Sequence, residues 1–221
     1  MIEIKNLKKT FQNPETKIDQ TILAIPSYEF KKGEKYALFG PSGIGKTTLL
    51  HIISGLLTPD SGELLVNGVN VASLTEADRD QYRAKNIGYI FQSFNLLDGF
   101  TALENVMLGM LFTGQGTDKS KAVAALTKVG LADRLHYMPS QLSVGQQQRV
   151  SVARAIVNDP EIILADEPTG NLDPATSNDI LALLFEQSKD KTLIVVTHEE
   201  HVLNQFDHKV DMLSFIPQPT N

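Results

Sequence analysis

The sequence predicts an α/β fold with a mostly parallel sheet core, an antiparallel β subdomain at the start of the chain and an inserted α-helical subdomain. Three observations predict it. Residues 40–48 are glycine-rich and separate a short apolar strand pattern from a helical one. Glu161-Ile-Ile-Leu-Ala165 and Thr192-Leu-Ile-Val-Val196 are short and almost wholly apolar, as strands covered on both faces of a parallel sheet are. Residues from about Gln92 to Asp159 carry mainly helical patterns.

Element by element, Met1 to Leu7 alternates apolar and charged residues and Thr21 to Phe30 reads as a second strand, with Lys31-Lys-Gly-Glu34 turning into the strand Tyr36-Ala-Leu-Phe39. Thr47 to Ser54 reads as a helix. Glu63-Leu-Leu-Val66 leads through Asn67-Gly68 to Val69-Asn-Val71, a hairpin signal. Thr75-Glu-Ala-Asp78 has the form of a helix start. Ile87-Gly-Tyr-Ile-Phe91 is a strand, and Ser93-Phe-Asn-Leu-Leu97 and Pro139-Ser140 suit loops flanking the helical part. Pro174 to Ser188 is helix-like. The chain is expected to form one domain over 1–221, with residues 1–91 and 160–221 making the core and 92–159 the helical subdomain.

Gly40-Pro-Ser-Gly-Ile-Gly-Lys-Thr-Thr48 matches G-x-x-x-x-G-K-[ST] without a gap, in the strand–loop–helix setting the motif requires. Gly40, Gly43 and Gly45 let the backbone of this loop, which also holds Pro41, Ser42 and Ile44, curl so that successive N–H groups point into one concavity at a helix N-terminus. This predicts a nucleoside triphosphate site. Lys46 would neutralise the β- and γ-phosphates, Thr47 would offer its hydroxyl to Mg²⁺, and Thr48 would support the loop from behind. A glycine-rich turn opening an ordinary helix is the plainer alternative, and the strand–helix context counts against it.

Ile162-Ile-Leu-Ala-Asp166-Glu167 brings two carboxylates to the carboxyl end of a strand, where open α/β sheets bind ligands. Asp166 suits the Mg²⁺ side, and Glu167 suits orienting or deprotonating an attacking water. As an isolated feature, a polar strand end before a turn would be equally good.

Leu142-Ser-Val-Gly-Gln146, followed by Gln147-Gln148-Arg149, makes a resemblance specific. The chain resembles the ATP-binding cassette (ABC) ATPases, whose signature reads Leu-Ser-Gly-Gly-Gln. Val144 stands where that family usually has glycine. The Ser143 hydroxyl and the Gly145 N–H can still be presented to an anion at a helix N-terminus. Alone, Ser143 would simply cap a helix and Gln146 to Gln148 would form its solvated face.

The resemblance implies a P-loop NTPase core and spans essentially the whole chain. It assigns Gln92 to the glutamine loop, at Mg²⁺ or the attacking water, and His198 to the switch histidine, which contacts the γ-phosphate and holds Glu167. It assigns Asn171-Leu-Asp173 to a loop crossing a dimer interface, with Asp173 linking the two sites, and Phe11 to the adenine-stacking position. Ser143, Gly145 and Gln146 would meet the ATP held by Lys46 of a second copy, so two copies would sandwich two ATP molecules. An integral membrane transporter subunit would dock beside the glutamine loop, with Phe94, Leu96, Leu97, Phe100 and Met107 as candidate docking residues and lobe core as their competing use. Ala165-Asp-Glu-Pro-Thr-Gly-Asn-Leu-Asp173 is most similar to the lipoprotein-releasing, macrolide and antimicrobial-peptide export group, with amino-acid importers as the alternative.

Composition bounds these expectations. The 221 residues are 42% hydrophobic, enough for one substantial core. Val106 to Phe112, the longest apolar candidate, is far too short to span a bilayer. The start, Met1-Ile-Glu-Ile-Lys5, has no basic-then-apolar signal pattern, and the chain has no cysteine for disulfides or thiolate metal sites. The expected location is the cytoplasmic face of a cell membrane. A net charge of −6 disfavours direct nucleic-acid binding. DNA-repair and other non-transport ABC ATPases, the second alternative, would usually carry a long coiled coil, zinc fingers or a second cassette. His198, His201 and His208 have no spacing that makes a metal site.

Overall fold

The computed structural model describes residues 1–216; the last five residues of the predicted core, 217–221, lie outside the described residues. Two sheets organise the chain. The first is antiparallel, in the order β2 (Asp19–Phe30), β1 (Ile2–Gln12), β4 (Ser61–Val66), β5 (Val69–Asn70). The second is wholly parallel, in the order β6 (Ile87–Ile90), β7 (Ile162–Asp166), β8 (Thr192–Val196), β3 (Lys35–Phe39), β9 (His208–Asp211).

Local chemistry explains most of these elements. The β4–β5 hairpin turns on Asn67 and Gly68, both at positive φ (50° and 83°), as a two-residue turn that matches strand twist requires. Helix α1 (Lys46–Ile53) opens at Gly45. Helix α2 (Glu76–Asn86) starts at Thr75, whose hydroxyl accepts from the Asp78 N–H. Val71, read as strand, is buried but instead begins a 3-10 turn, because the Asn70 side chain accepts from the Ala72 N–H and bends the chain. Between β6 and β7 lie α3 (Ala102–Leu108), α4 (Lys119–Lys128) and α5 (Val144–Ile156); α6 (Pro174–Gln187) joins β7 to β8, and α7 (Glu200–Leu203) precedes β9.

Because side chains alternate across a strand, the parallel sheet faces two cores. Ala37, Ile163, Ala165, Leu193 and Val195 pack with α6 and the helices of the inserted segment. Tyr36, Leu38, Ile162, Leu164, Ile194 and Val196 pack with α1 and the antiparallel sheet. The helical segment therefore shares a continuous core with one sheet face, so a shift of its helices is felt at the strand ends.

A close backbone approach pins the central β1–β4 pair of the antiparallel sheet. The β1–β4 register slips between Lys5 and Lys8, Asn6 is left-handed at φ 49°, and Gly62 faces it at φ 92°. A Cβ on Gly62 would lie 2.3 Å from the Asn6 carbonyl oxygen. Gly62→Ala is expected to cost about 3 kcal/mol or more. That corresponds to a melting point lower by roughly 6–12 °C, and an unchanged melt would contradict this reading of the contact.

Candidate nucleotide site

In the loop of residues 40–48, Gly40, Gly43 and Gly45 all lie at positive φ, 144°, 78° and 100°. A Cβ on Gly45 would meet Ile22 at 2.8 Å, so the loop is also pressed against β2. Lys46 is buried, and its ammonium donates to the carbonyls of Gly40 and Pro41, both at 2.9 Å, which holds the charge across the loop. Pro41, Ser42 and Gly43 are exposed at its rim, Ile44 and Thr48 are half-buried, and Thr47 is exposed at the start of α1.

At the end of β7, Asp166 is only 7% exposed and hydrogen-bonded to Thr47. Burial pushes its carboxyl above the ordinary range. The Thr47 bond opposes that shift, the Glu167 charge adds to it, and His51 and Lys46 oppose it. A carboxyl raised by folding stabilises the fold most where it is protonated, below its unfolded value of about 3.9, and loses that contribution as pH rises through the folded value. At neutral pH the buried charge therefore weighs on the fold. Asp166→Asn is expected to raise the melting point at pH 7.5 by roughly 2–4 °C, with a smaller gain near the unfolded value, at about pH 4, and with lost hydrolysis. Paired melts at the two pH values check this, and a lower melting point at pH 7.5 would refute it.

Glu167 is left-handed at φ 44°, a conformation that costs a non-glycine residue about 1–2 kcal/mol and persists only where its surroundings enforce it. Its N–H donates to the Val196 carbonyl at 3.0 Å and its carbonyl accepts from Gly170 at 3.2 Å. Its carboxylate sits between two long-range partners: His198 Nδ1 lies 3.1 Å from Oε1, and Gln92 Nε2 donates to Oε2 at 3.0 Å. Strands β6, β7 and β8 are neighbours in the sheet, and their carboxyl ends bring Gln92, Glu167 and His198 together. Asn171 donates to the Gln92 carbonyl at 3.2 Å, and Thr169 donates to Glu199 at 2.5 Å, tying the loop after β7 to those after β6 and β8.

The signature forms a separate place on the surface. Ser143 caps α5 by accepting from the Gln146 N–H, while the Gln146 side chain accepts from the Ser143 N–H. Val144 is 47% exposed. Gly145 is closely packed: a Cβ there would lie 2.6 Å from Thr176 Cγ2 on α6. Asp173 caps α6, accepting from the Ala175 and Thr176 N–H groups and the Thr176 hydroxyl, and those bonds hold its carboxyl below the usual range. Residues 143–146 and Asn171 to Asp173 line one groove of about 460 Å³. A different groove, of about 530 Å³, lies between Asp19 to Ile22 and Gly43–Ile44. The two share no lining residue. Phe11 pairs with Gln20 across β1 and β2, half exposed beside the second groove rather than lining it.

Of the five candidate docking residues, Leu97 and Phe100 are exposed, Phe94 is half-buried, and Leu96 and Met107 pack onto the helical core. Sequence reading missed Leu111 and Phe112, both exposed at the end of the apolar run. It also missed the role of Gln148, which is wholly buried rather than part of a solvated face. The available signal was its spacing from Ser151, Val152 and Ala155, which is that of a helix's inward stripe. His201 lies 3.7 Å from Glu199 and His208 lies 3.0 Å from Glu34, each beside a different carboxylate.

The family model described as ABC transporter matches residues 23–170. The macrolide export ATP-binding/permease protein MacB of Bdellovibrio bacteriovorus is 44% identical over 93% of this chain, which spans 31% of that longer protein. The lipoprotein-releasing system ATP-binding protein LolD of Treponema denticola is 43% identical, covering 94% of this chain and 92% of its own length. Among solved structures, the dimeric post-hydrolysis state of the ATP-binding cassette MJ0796 bound to ADP and Pi superposes with a TM-score of 0.87 at 36% identity, over 96% of this chain and 94% of that one. No helix among the described residues is long and apolar enough to cross a membrane. The chain belongs to the ABC transporter family, as one of its ATP-binding, ATP-hydrolysing cassettes.

Proposed function

We propose that two copies of this cassette close head to tail on two ATP molecules and drive a separate integral membrane subunit. The observation that carries this is that the signature groove and the groove at Gly43–Ile44 of the phosphate loop have no lining residue in common. A solved relative that is dimeric with ADP and phosphate supports it. Each site would then combine Lys46, Asp166 and Glu167 of one copy with Ser143, Gly145 and Gln146 of the other, with Asp173 beside the shared face.

The buried Asp166 carboxylate and the Thr47 hydroxyl make an oxygen-donor pair suited to Mg²⁺, which Gln92 would join through its amide oxygen. Bound there, Mg²⁺ would neutralise charge on the β- and γ-phosphates. Lys46 leaves the two loop carbonyls for the phosphates. Glu167, oriented by His198 and Gln92, takes a proton from the water attacking the γ-phosphorus as the bond to the β–γ bridging oxygen breaks, giving ADP and phosphate. Loss of the γ-phosphate removes the link between copies, and the open state is favoured again. Phe11 would stack on the adenine.

Residues 1–91 and 160–221 act as the nucleotide-binding core and 92–159 as the signature-bearing subdomain. Leu97 and Phe100, which follow Gln92 in the chain, with the exposed Leu111 and Phe112 further on, offer apolar surface for the membrane subunit, which would hold the cassette at the inner face of the membrane. The two named relatives favour lipoprotein release or macrolide export as the kind of task. Mixing two inactive variants, one lacking Lys46 and one lacking the signature, tests the composite site: recovered hydrolysis supports it and none overturns it.

A further inference from the structure

We propose that Gln148 is a positioning residue for ATP hydrolysis, fixing through the Pro168 carbonyl the backbone that carries Glu167 and so coupling the signature helix to the carboxylate of its own subunit. The inference rests on Glu167 acting as the base.

Gln148 is fully buried on α5, one turn beyond the exposed signature residue Val144. Its Nε2 donates to the Pro168 carbonyl at 2.8 Å, and among the described residues no other group donates to that oxygen. Pro168 directly follows Glu167, whose left-handed backbone must be enforced from outside. Val196 and Gly170 hold the Glu167 peptide groups, while Gln148 holds the carbonyl immediately beyond. The strained turn is thus anchored to the sheet on one side and to the signature helix on the other.

The other half of the amide shows what the residue is kept for. Gln148 Oε1 is buried without a partner, as is Ser151 Oγ one turn further along α5. A residue serving packing alone would do better as an apolar side chain of the same volume, which leaves no acceptor stranded. The donor is the useful part, and its target is the backbone of the catalytic turn.

Helix α5 is also seated to transmit displacement. Gly145, at its first turn, is so close to Thr176 that a methyl group would not fit, and close-packed contacts move together rather than absorb a shift. When Ser143 and Gly145 engage the neighbouring copy's nucleotide, a movement of α5 reaches the Pro168 carbonyl through Gln148 and adjusts the Glu167 carboxylate. Each subunit would then set its own base according to whether its signature is occupied across the dimer.

The test uses the full chain and follows phosphate release against Mg-ATP concentration, with thermal melts alongside. Q148M keeps the volume and removes the donor, Q148H keeps an N–H at similar reach, and Q148N, too short to reach, replaces Q148M should that variant not fold. Loss of the donor is expected to lower kcat roughly 10- to 100-fold, to leave KM within about twofold and to keep the melting point within about 4 °C. Q148H should recover most of the turnover. In an E167Q background, adding Q148M should lower the residual turnover less than about twofold, because both act through one group.

Wild-type kcat in Q148M, a loss that Q148H does not rescue, or a further full-sized loss in the E167Q background would overturn the proposal. If E167Q itself hydrolyses ATP like wild type, the reading of Glu167 fails first. An inactive E167Q beside a fully active Q148M removes this inference alone.

Discussion

Glu167→Gln is expected to lower kcat by about 10²- to 10⁴-fold, the span a positioned general base contributes, while leaving ATP binding intact. The amide keeps the shape of the carboxylate. Its oxygen can accept from Gln92 where Glu167 Oε2 now does, at 3.0 Å, and its NH₂ can face His198, now 3.1 Å from Oε1. What it loses is the capacity to take a proton. ATP-bound dimers then accumulate because the step that reopens them is blocked, a shift in population rather than in affinity. Phosphate release and mass measurement with Mg-ATP read both effects on one preparation. Turnover undiminished in the variant would remove Glu167 from the role of base.

The second large effect is expected in a mixture. Lys46→Ala removes the buried ammonium that folds over the phosphate loop, and Ser143→Arg replaces the α5 cap with a bulky side chain at the signature groove. Each variant alone should hydrolyse ATP at least about 100-fold more slowly than wild type, as expected when preorganised charge stabilisation or positioning is lost. A head-to-tail pair of one copy each rebuilds one complete site, from Lys46 of the second variant and Ser143 of the first. With random pairing, half the dimers are mixed and each holds one good site of two, so recovery to about a quarter of wild-type turnover is expected. A site completed within one chain would show no recovery at any mixing ratio. The result thus separates the composite arrangement from a cleft belonging to a single copy.

Features carried by adjacent residues were legible without the structure. The Asn67-Gly68 turn needs two residues tolerant of positive φ, and both adopt it. Thr75 caps α2 through Asp78, three residues on. Strands β7 and β8 are apolar throughout because both faces are covered, and that composition can be read directly. Strand β9 escaped notice: His208-Lys-Val-Asp211 has one apolar residue in four, and it is a strand because it completes the edge beside β3. The slip of register at Asn6 and the glycine it demands at 62 are likewise products of two strands meeting, with no local signal in either.

The sequence alone determined the phosphate loop, because its chemistry belongs to consecutive backbone N–H groups and one lysine, all set by local φ and helix geometry. It also determined the carboxylate pair at the end of β7, because an apolar strand delivers whatever follows it to one edge of the sheet. Only the tertiary structure decided what Glu167 is held by. Gln92 lies 75 residues away along the chain, and it meets the carboxylate because β6, β7 and β8 lie side by side. Gln148, 20 residues from Pro168, looks in sequence like one of three equivalent glutamines. Its burial follows from the packing of α5 against α6 and the turn after β7, a matter of distant segments meeting rather than of the run of residues that contains it.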